Sequence, residues 1–255
     1  MNAPHTVPNS PRSITAYERA YRASDFEPVQ ARMRKRMLLT MLERLAPRRV
    51  LEVGCGTDAL YAHWPHFERF VVIEPSAGFA EKARRDAAGD SRITIIEDFV
   101  ETAAPTLAGE VFDLVLVSGL LHEVPNPAAV LHGLRPLCRQ DTVVHVNVPN
   151  ARSLHRLLAL EMGLIDNLQT ISDRQQALQQ QCTFDMDSLV SLCEQCGFKV
   201  TEHGSYFVKP FTHSQMAGLQ VSGLLDDRML GGLYRLERHL PGLGSEIYVN
   251  LGRSE

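Results

Sequence analysis

The apolar run Val50–Val53 leads into Gly54-Cys-Gly56-Thr-Asp58, the segment with the clearest chemical content. Glycines let a backbone turn sharply and approach a ligand with no Cβ in the way. The first strand-to-helix turn of an open parallel sheet is where nucleotides bind. Glu74 closes the next apolar run, 20 residues beyond Gly54, where a carboxylate can accept hydrogen bonds from two ribose hydroxyls. Gly54, Gly56 and Ala59 also satisfy the relaxed dinucleotide fingerprint, so an NAD(P)- or flavin-dependent oxidoreductase is one reading. Three acidic features favour a cationic ligand over a pyrophosphate. Glu52 stands in the strand where dinucleotide sites carry an apolar residue. Asp58 sets a negative charge close to where a pyrophosphate would sit. Glu97 and Asp98, followed by Phe99, end the third apolar run, where an adenine would meet them.

Placing these groups together requires a parallel sheet. The runs Arg49–Val53, Phe70–Ile73, Ile93–Ile96, Phe112–Val117 and Thr142–Val148 alternate with helical patterns such as Ala77–Ala87 and about Pro127–Leu137, which implies βαβ units. Their near-continuous apolar character fits a sheet buried on both faces. Upstream, Met33, Met37, Leu38, Met41, Leu42 and Leu45 form one helical stripe that ends before Pro47. Arg32, Arg34, Lys35 and Arg36 beside it read as a solvated face, or as a cluster near an anionic ligand. Downstream, Ala151–Ile165, Arg174–Gln181, Asp187–Cys196 and Met216–Leu240 look helical. Phe198–His203, extending toward Val208 with a break at Gly204, and Glu246–Leu251 are the last strands. Residues 1–15 read as a disordered leader and 16–255 as one domain. A cover helix is expected at 16–46, and helical lid insertions at about 151–183 and 209–240.

The 255 residues are 44% apolar, enough for one α/β domain with a sizeable core. Thirty acidic against 26 basic side chains argue against a dedicated nucleic-acid partner. No apolar run is long enough to cross a bilayer, so no membrane partner is expected. Five cysteines are too sparse for a disulfide scaffold, and the N-terminus lacks a secretory pattern, which makes the cytoplasm the default compartment. Cys193-x-x-Cys196 lies in a helical pattern with no second pair at zinc spacing, so it reads as two buried cysteines and no metal is expected.

Taken in order, four segments resemble the motifs of the class I S-adenosylmethionine-dependent methyltransferases. Glu52-Val-Gly-Cys-Gly-Thr-Asp58 resembles the first, with Asp58 where the usual form has Gly. Val72-Ile-Glu-Pro-Ser76 is similar to the second, Glu97-Asp-Phe99 to the third, and Phe112–Pro127 to the fourth strand and its following loop. The resemblance covers about Val50–Pro149. It implies an α/β fold with a seven-stranded, mostly parallel sheet, an antiparallel last strand and helices on both faces. It also implies S-adenosylmethionine as cofactor and S-adenosylhomocysteine as product. Glu74 with Pro75 would hold the ribose, Asp98 and Phe99 the adenine, and Glu52, Gly54, Gly56, Asp58 and Ser118 the rest of the cofactor, with Tyr21 closing over it.

Methyl transfer from a sulfonium is an in-line displacement in which the protein aligns the acceptor and desolvates both partners. A base matters only when the acceptor must lose a proton. His122, in the loop after the fourth strand, is the candidate base, with Glu123 a weaker second. Tyr17, Asn147, Asn150, Phe207 and Phe211 are candidate acceptor contacts, with His213 and Met216 in the same apolar segment as the last two. His145 reads as a core histidine. The expected function is transfer to an oxygen or nitrogen, less favourably sulfur or carbon, of a small-molecule acceptor in bacterial biosynthesis, by a monomer or homodimer. No Asn/Asp-Pro-Pro-Tyr/Phe motif follows the fourth strand, which argues further against a nucleic-acid base as acceptor. A catalytically silent S-adenosylmethionine-binding partner protein, suggested by Asp58, and the oxidoreductase remain as alternatives.

Overall fold

In the computed structural model, which describes residues 13–14, 26–171, 175–176 and 179–254, the apolar runs pair into a sheet of seven strands. These are β1 (Arg49–Val53), β2 (Arg69–Ile73), β3 (Ile93–Ile96), β4 (Leu114–Ser118), β5 (Val143–Pro149), β6 (Phe198–Tyr206) and β7 (Glu246–Arg253). Their order is β3-β2-β1-β4-β5-β7-β6. The first five pair in parallel, and β7 runs antiparallel to both β5 and β6. The expected seven-stranded α/β fold is therefore the observed one. The strand order reverses between β1 and β4, which opens a crevice at their carboxyl ends.

Strand alternation sends side chains to two cores. Leu51, Val53, Val71, Ile73, Val115, Val117, Val146 and Val249 pack on one face with α3 (Val100–Ala103), α4 (Pro127–Leu134) and α6 (Met186–Gln195). Val50, Phe70, Val72, Leu114 and Leu116 pack on the other with α1 (Glu27–Leu45), whose buried stripe is Met33, Met37, Leu38, Met41 and Leu42. α1 ends at Ala46 in the left-handed conformation, just before Pro47. The remaining helices are α2 (Ala77–Ala87), α5 (Leu154–Glu161), α7 (His213–Val221) and α8 (Asp227–Arg235). Among the described residues no helix is long and apolar enough to cross a membrane.

Three local expectations shift. β6 does not break at Gly204 but continues to Tyr206. A Cβ at Gly204 would lie 2.9 Å from the Tyr248 ring, so the glycine makes room for a cross-strand aromatic. The segment 216–240 is two helices, because Asp226 starts α8 afresh by accepting from the Met229 amide at 2.7 Å. α5 is shorter than the pattern Ala151–Ile165 suggested, and Arg174, Ala177 and Leu178 of the segment Arg174–Gln181 lie outside the described residues. Cys193 and Cys196 are buried in α6 and at its C-cap, and burial pushes the Cys193 thiol up to about 12.

Candidate active site

The α1 face of the sheet carries a group of polar side chains at the crevice. Strand parity puts Glu52, Glu74, Ser118 and Asn147 on that face at the carboxyl ends of β1, β2, β4 and β5. Antiparallel β7 adds its first residue, Glu246, opposite Pro149. Beside them opens a cavity of about 1050 Å³. The glycine loop forms one wall. Gly54 and Gly56 adopt positive φ (78° and 56°), a conformation that glycine enters without strain. Glu74 Oε2 accepts from the amides of Cys55 (3.0 Å) and Gly56 (3.1 Å), and Oε1 from the amide of Ser76 (2.9 Å). The carboxylate thus braces the loop and retains about one further acceptor position. Burial raises the Glu74 pKa against the pull of these three amides.

Glu52 is buried beneath the loop, and its Oε2 accepts from the Leu60 amide at 3.0 Å. Burial, reinforced by the charges of Glu74 and Asp58, lifts its pKa from 4.5 to about 8. The folded chain therefore holds a proton on Glu52 that the unfolded chain releases above pH 4.5. Its contribution to stability is full below that value and is lost as pH rises through about 8. Glu52→Gln should flatten this part of the stability profile, which urea unfolding at pH 5 and pH 8 measures. An unchanged profile would show that Glu52 ionises normally.

The departure at Asp58 has a partner. Its carboxylate is ion-paired with Lys35 of α1 and lies 2.8 Å from His63 Nε2. Partial burial opposes its charge, but these two bonds outweigh it and lower the pKa. Ser118 Oγ is buried at the cavity wall with no hydrogen-bond partner among the described residues. Asp98 and Phe99 follow β3 but are not in the cavity lining; Asp98 bonds the Phe99 amide at 2.7 Å and Phe99 is 52% exposed.

His122 lines the cavity and is buried, with Nε2 3.7 Å from Glu123 Oε1. Glu123 is also buried. Gln181 and Cys182 hold the loop by donating their amides to the His122 carbonyl at 2.8 and 3.4 Å. His145 is a core histidine: its Nδ1 lies 2.7 Å from Asn250 Oδ1, and burial lowers its pKa to about 4.

The expected acceptor contacts need correction. Asn147 is fully buried behind the lining and donates to Glu246 Oε2 (2.8 Å) and the Tyr206 hydroxyl (3.2 Å). Asn150 reaches the cavity, but its amide nitrogen is held by the carbonyls of Gly242 and Gly244 and its oxygen by the Arg152 amide. Phe207 is fully buried, stacked on Phe26 with ring centres 6.4 Å apart, and Met216 is buried in the same core. Phe211 is 40% exposed and outside the lining. Tyr17 and Tyr21 lie outside the described residues.

Several lining residues carried no sequence signal. Glu246 accepts from Arg34 Nε (3.0 Å) and Nη2 (2.5 Å), from Gln30 (2.9 Å), from Asn147 and from the Tyr206 hydroxyl. Burial alone would raise its pKa; the Arg34 charge and these donors bring it down to about 2. Lys209 is 1% exposed, with Nζ 2.7 Å from His213 Nδ1, and His213 Nε2 lies 3.9 Å from Glu27. The basic residues Arg34 and Lys35 of the α1 cluster were visible in the sequence. Their pairing with Glu246 and Asp58, 212 and 23 residues away, was not.

A family model described as a methyltransferase domain matches residues 19–203. The chain belongs to this methyltransferase family. Ubiquinone biosynthesis O-methyltransferase of Actinobacillus pleuropneumoniae serotype 5b (strain L20) is 30% identical over 122 residues, 46% of this chain and 51% of that protein. The chain thus matches about half the length of this curated relative. Among solved structures, a SAM-dependent methyltransferase of Thermotoga maritima described as a possible histamine N-methyltransferase covers 95% of this chain and 100% of its own (TM-score 0.62, 16% identity). The plantazolicin methyltransferase BamL, solved with a triazolic desmethylPZN analogue and S-adenosylhomocysteine, covers 95% of this chain and 97% of its own (TM-score 0.56, 15% identity). These structures share the fold of this methyltransferase. Its family makes S-adenosylmethionine the methyl donor, and the residues present suit that molecule: a glycine turn open to close approach, a buried hydroxyl at Ser118 without a partner among the described residues, and the carboxyl groups of Glu52 and Glu74 at the cavity wall.

Proposed function

We propose that this methyltransferase transfers the methyl group of S-adenosylmethionine to an oxygen or nitrogen of a small-molecule acceptor, with His122 as general base. The observation that carries the reading is that the glycine loop, Glu74 and the buried His122–Glu123 pair open into one cavity. When bound, the cofactor supplies an electrophilic methyl group on a sulfonium. Gly54 and Gly56 bring the backbone close to it, Glu74 and Pro75 meet its ribose, and Ser118 donates its free hydroxyl. Asp98 and the half-exposed ring of Phe99 meet the adenine at the rim. Asp58, held by Lys35, faces the rest of the cofactor, and Glu52 supports the loop beneath it as a protonated carboxyl. His122 takes the acceptor's proton, and Glu123 stabilises the imidazolium that results. The described parts of the helical segments around 151–183 and 209–240 cover the cavity. The name of the curated relative favours oxygen as the acceptor atom. The Lys35–Asp58 pair answers the one departure from the family motif that favoured a silent binding protein.

Calorimetric titration with S-adenosylmethionine and with NADP, followed by measurement of S-adenosylhomocysteine release across an acceptor library, tests the reading. Tight NADP binding, or cofactor binding without turnover on any acceptor, would count against it. Glu74→Ala should weaken S-adenosylmethionine binding by about 1–3 kcal/mol, the loss of a buried charged acceptor. Because the loop amides of Cys55 and Gly56 also lose their partner, a modest drop in melting temperature should accompany it. Unchanged affinity would place the ribose elsewhere.

A further inference from the structure

Arg156, on α5, lines the same cavity beside His122, Pro149 and Gln180. Its surroundings differ from those of Arg34, which faces Glu246 and Glu27. Among the described residues Arg156 meets no carboxylate. Nη1 donates to Gln175 Oε1 at 3.1 Å, and Nη2 donates to the carbonyls of Leu168 and Thr170, each at 2.8 Å. Nε has no acceptor. Burial lowers its pKa, with no acidic neighbour acting in the opposite direction. A guanidinium does not give up its proton in a protein, so the site carries a part-buried positive charge held in place but not neutralised. Such a charge is unfavourable until an anion or a carboxylate pairs with it. Of the five guanidinium N–H donors, three are used, and Nη1 retains one.

Position separates this charge from the glycine loop. α5 follows β5, the loop follows β1, and β4 lies between those strands. Ala159, Leu164 and Ile165 lie in the same cavity lining as Arg156, and they are apolar. We propose that Arg156 anchors an anionic group, carboxylate or phosphate, on an acceptor whose apolar body lies against Ala159, Leu164 and Ile165, so that the reacting atom is held at His122. This rests on the methyl-transfer reading above and makes the acceptor an amphipathic anion. The neutral acceptors Gln175, Leu168 and Thr170 orient the guanidinium while leaving its charge for the ligand.

The full chain, saturated with S-adenosylhomocysteine, is titrated calorimetrically with phenylacetate and phenyl phosphate, and with the neutral phenylacetamide and benzyl alcohol. At least one anion should bind about ten-fold or more tightly than its neutral counterpart, the order expected of a charge-assisted hydrogen bond. The better anion identifies carboxylate or phosphate as the group recognised. Arg156→Gln should abolish the preference, Arg156→Lys should keep part of it, and S-adenosylhomocysteine affinity and melting temperature should stay unchanged in both. Equal binding of anions and neutral probes, no measurable binding of either anion, or a preference that survives Arg156→Gln overturns the proposal. So does a loss of S-adenosylhomocysteine affinity in a well-folded Arg156→Gln, which would put the guanidinium at the cofactor. If the wild-type chain fails to bind S-adenosylhomocysteine, the methyl-transfer reading falls instead, and the anion preference measured without it decides the role of Arg156 separately.

Discussion

Glu246→Ala is expected to destabilise the fold by roughly 3–5 kcal/mol, the effect of removing one partner of a buried ion pair. The carboxylate gathers five donors from three elements: Arg34 twice and Gln30 once from α1, Asn147 from β5 and Tyr206 from β6. Removing it leaves Arg34, among the described residues, with Glu27 as its carboxylate partner, 3.7 Å away, strips the buried Tyr206 hydroxyl of its acceptor and leaves Asn147 with the Tyr206 hydroxyl alone. Urea unfolding measures the loss. Arg34→Met combined with Glu246→Leu should recover part of it, since two apolar groups leave no orphaned charge. The pH dependence has a definite sign. With a folded pKa of about 2 against an ordinary 4.5, Glu246 contributes stability that is full above pH 4.5 and is lost as pH falls through about 2. A Glu246→Ala variant as stable as wild type would mean that the network closes the cavity wall without supporting the fold.

His122→Ala is expected to lower turnover by roughly 10²-fold or more while leaving the S-adenosylmethionine dissociation constant nearly unchanged, the signature of a lost general base. Because Glu123 would then be buried without its imidazole partner, His122→Asn is the cleaner second variant: it keeps a polar side chain at the position but cannot accept the proton. Both variants should also lose the limb of the pH–rate profile that depends on imidazole ionisation. Wild-type activity in His122→Asn would reduce the residue to a loop anchor, a role its carbonyl already fills through Gln181 and Cys182.

Much of the cofactor half is legible from the order of residues alone. Val50–Val53 followed by Gly54 and Gly56 announces a strand and a sharp turn, and both glycines take the positive φ that turn requires. The stripe from Met33 to Leu42 is the buried face of α1. The acceptor half is much less legible. Asn147 looked like a site residue because it is polar in an apolar strand near the active edge. The same facts hold for a group that faces a buried carboxylate, and Glu246, 99 residues away, is that carboxylate. Phe207 and Phe211 looked like an acceptor wall, yet the cavity is lined by Lys209, Thr212, His213 and Ser214 from the residues between and just after them. In irregular chain between a strand and a helix no period exists to say which side chain turns inward.

Strand and helix content, the parallel order of β1 to β5 and the glycine turn follow from local periodicity and from residues that act within a few positions of one another. Which charges are balanced is a different kind of question, because ion pairs join residues that only packing brings together. Antiparallel β7 delivers Glu246 to Arg34, and α1 delivers Lys35 to Asp58. At Arg156 the described residues supply carbonyls and an amide but no carboxylate. In a part-buried setting the energy of a charge is set by its neighbours in space, so the string of residues shows that the charges exist while the folded chain determines which of them await a ligand.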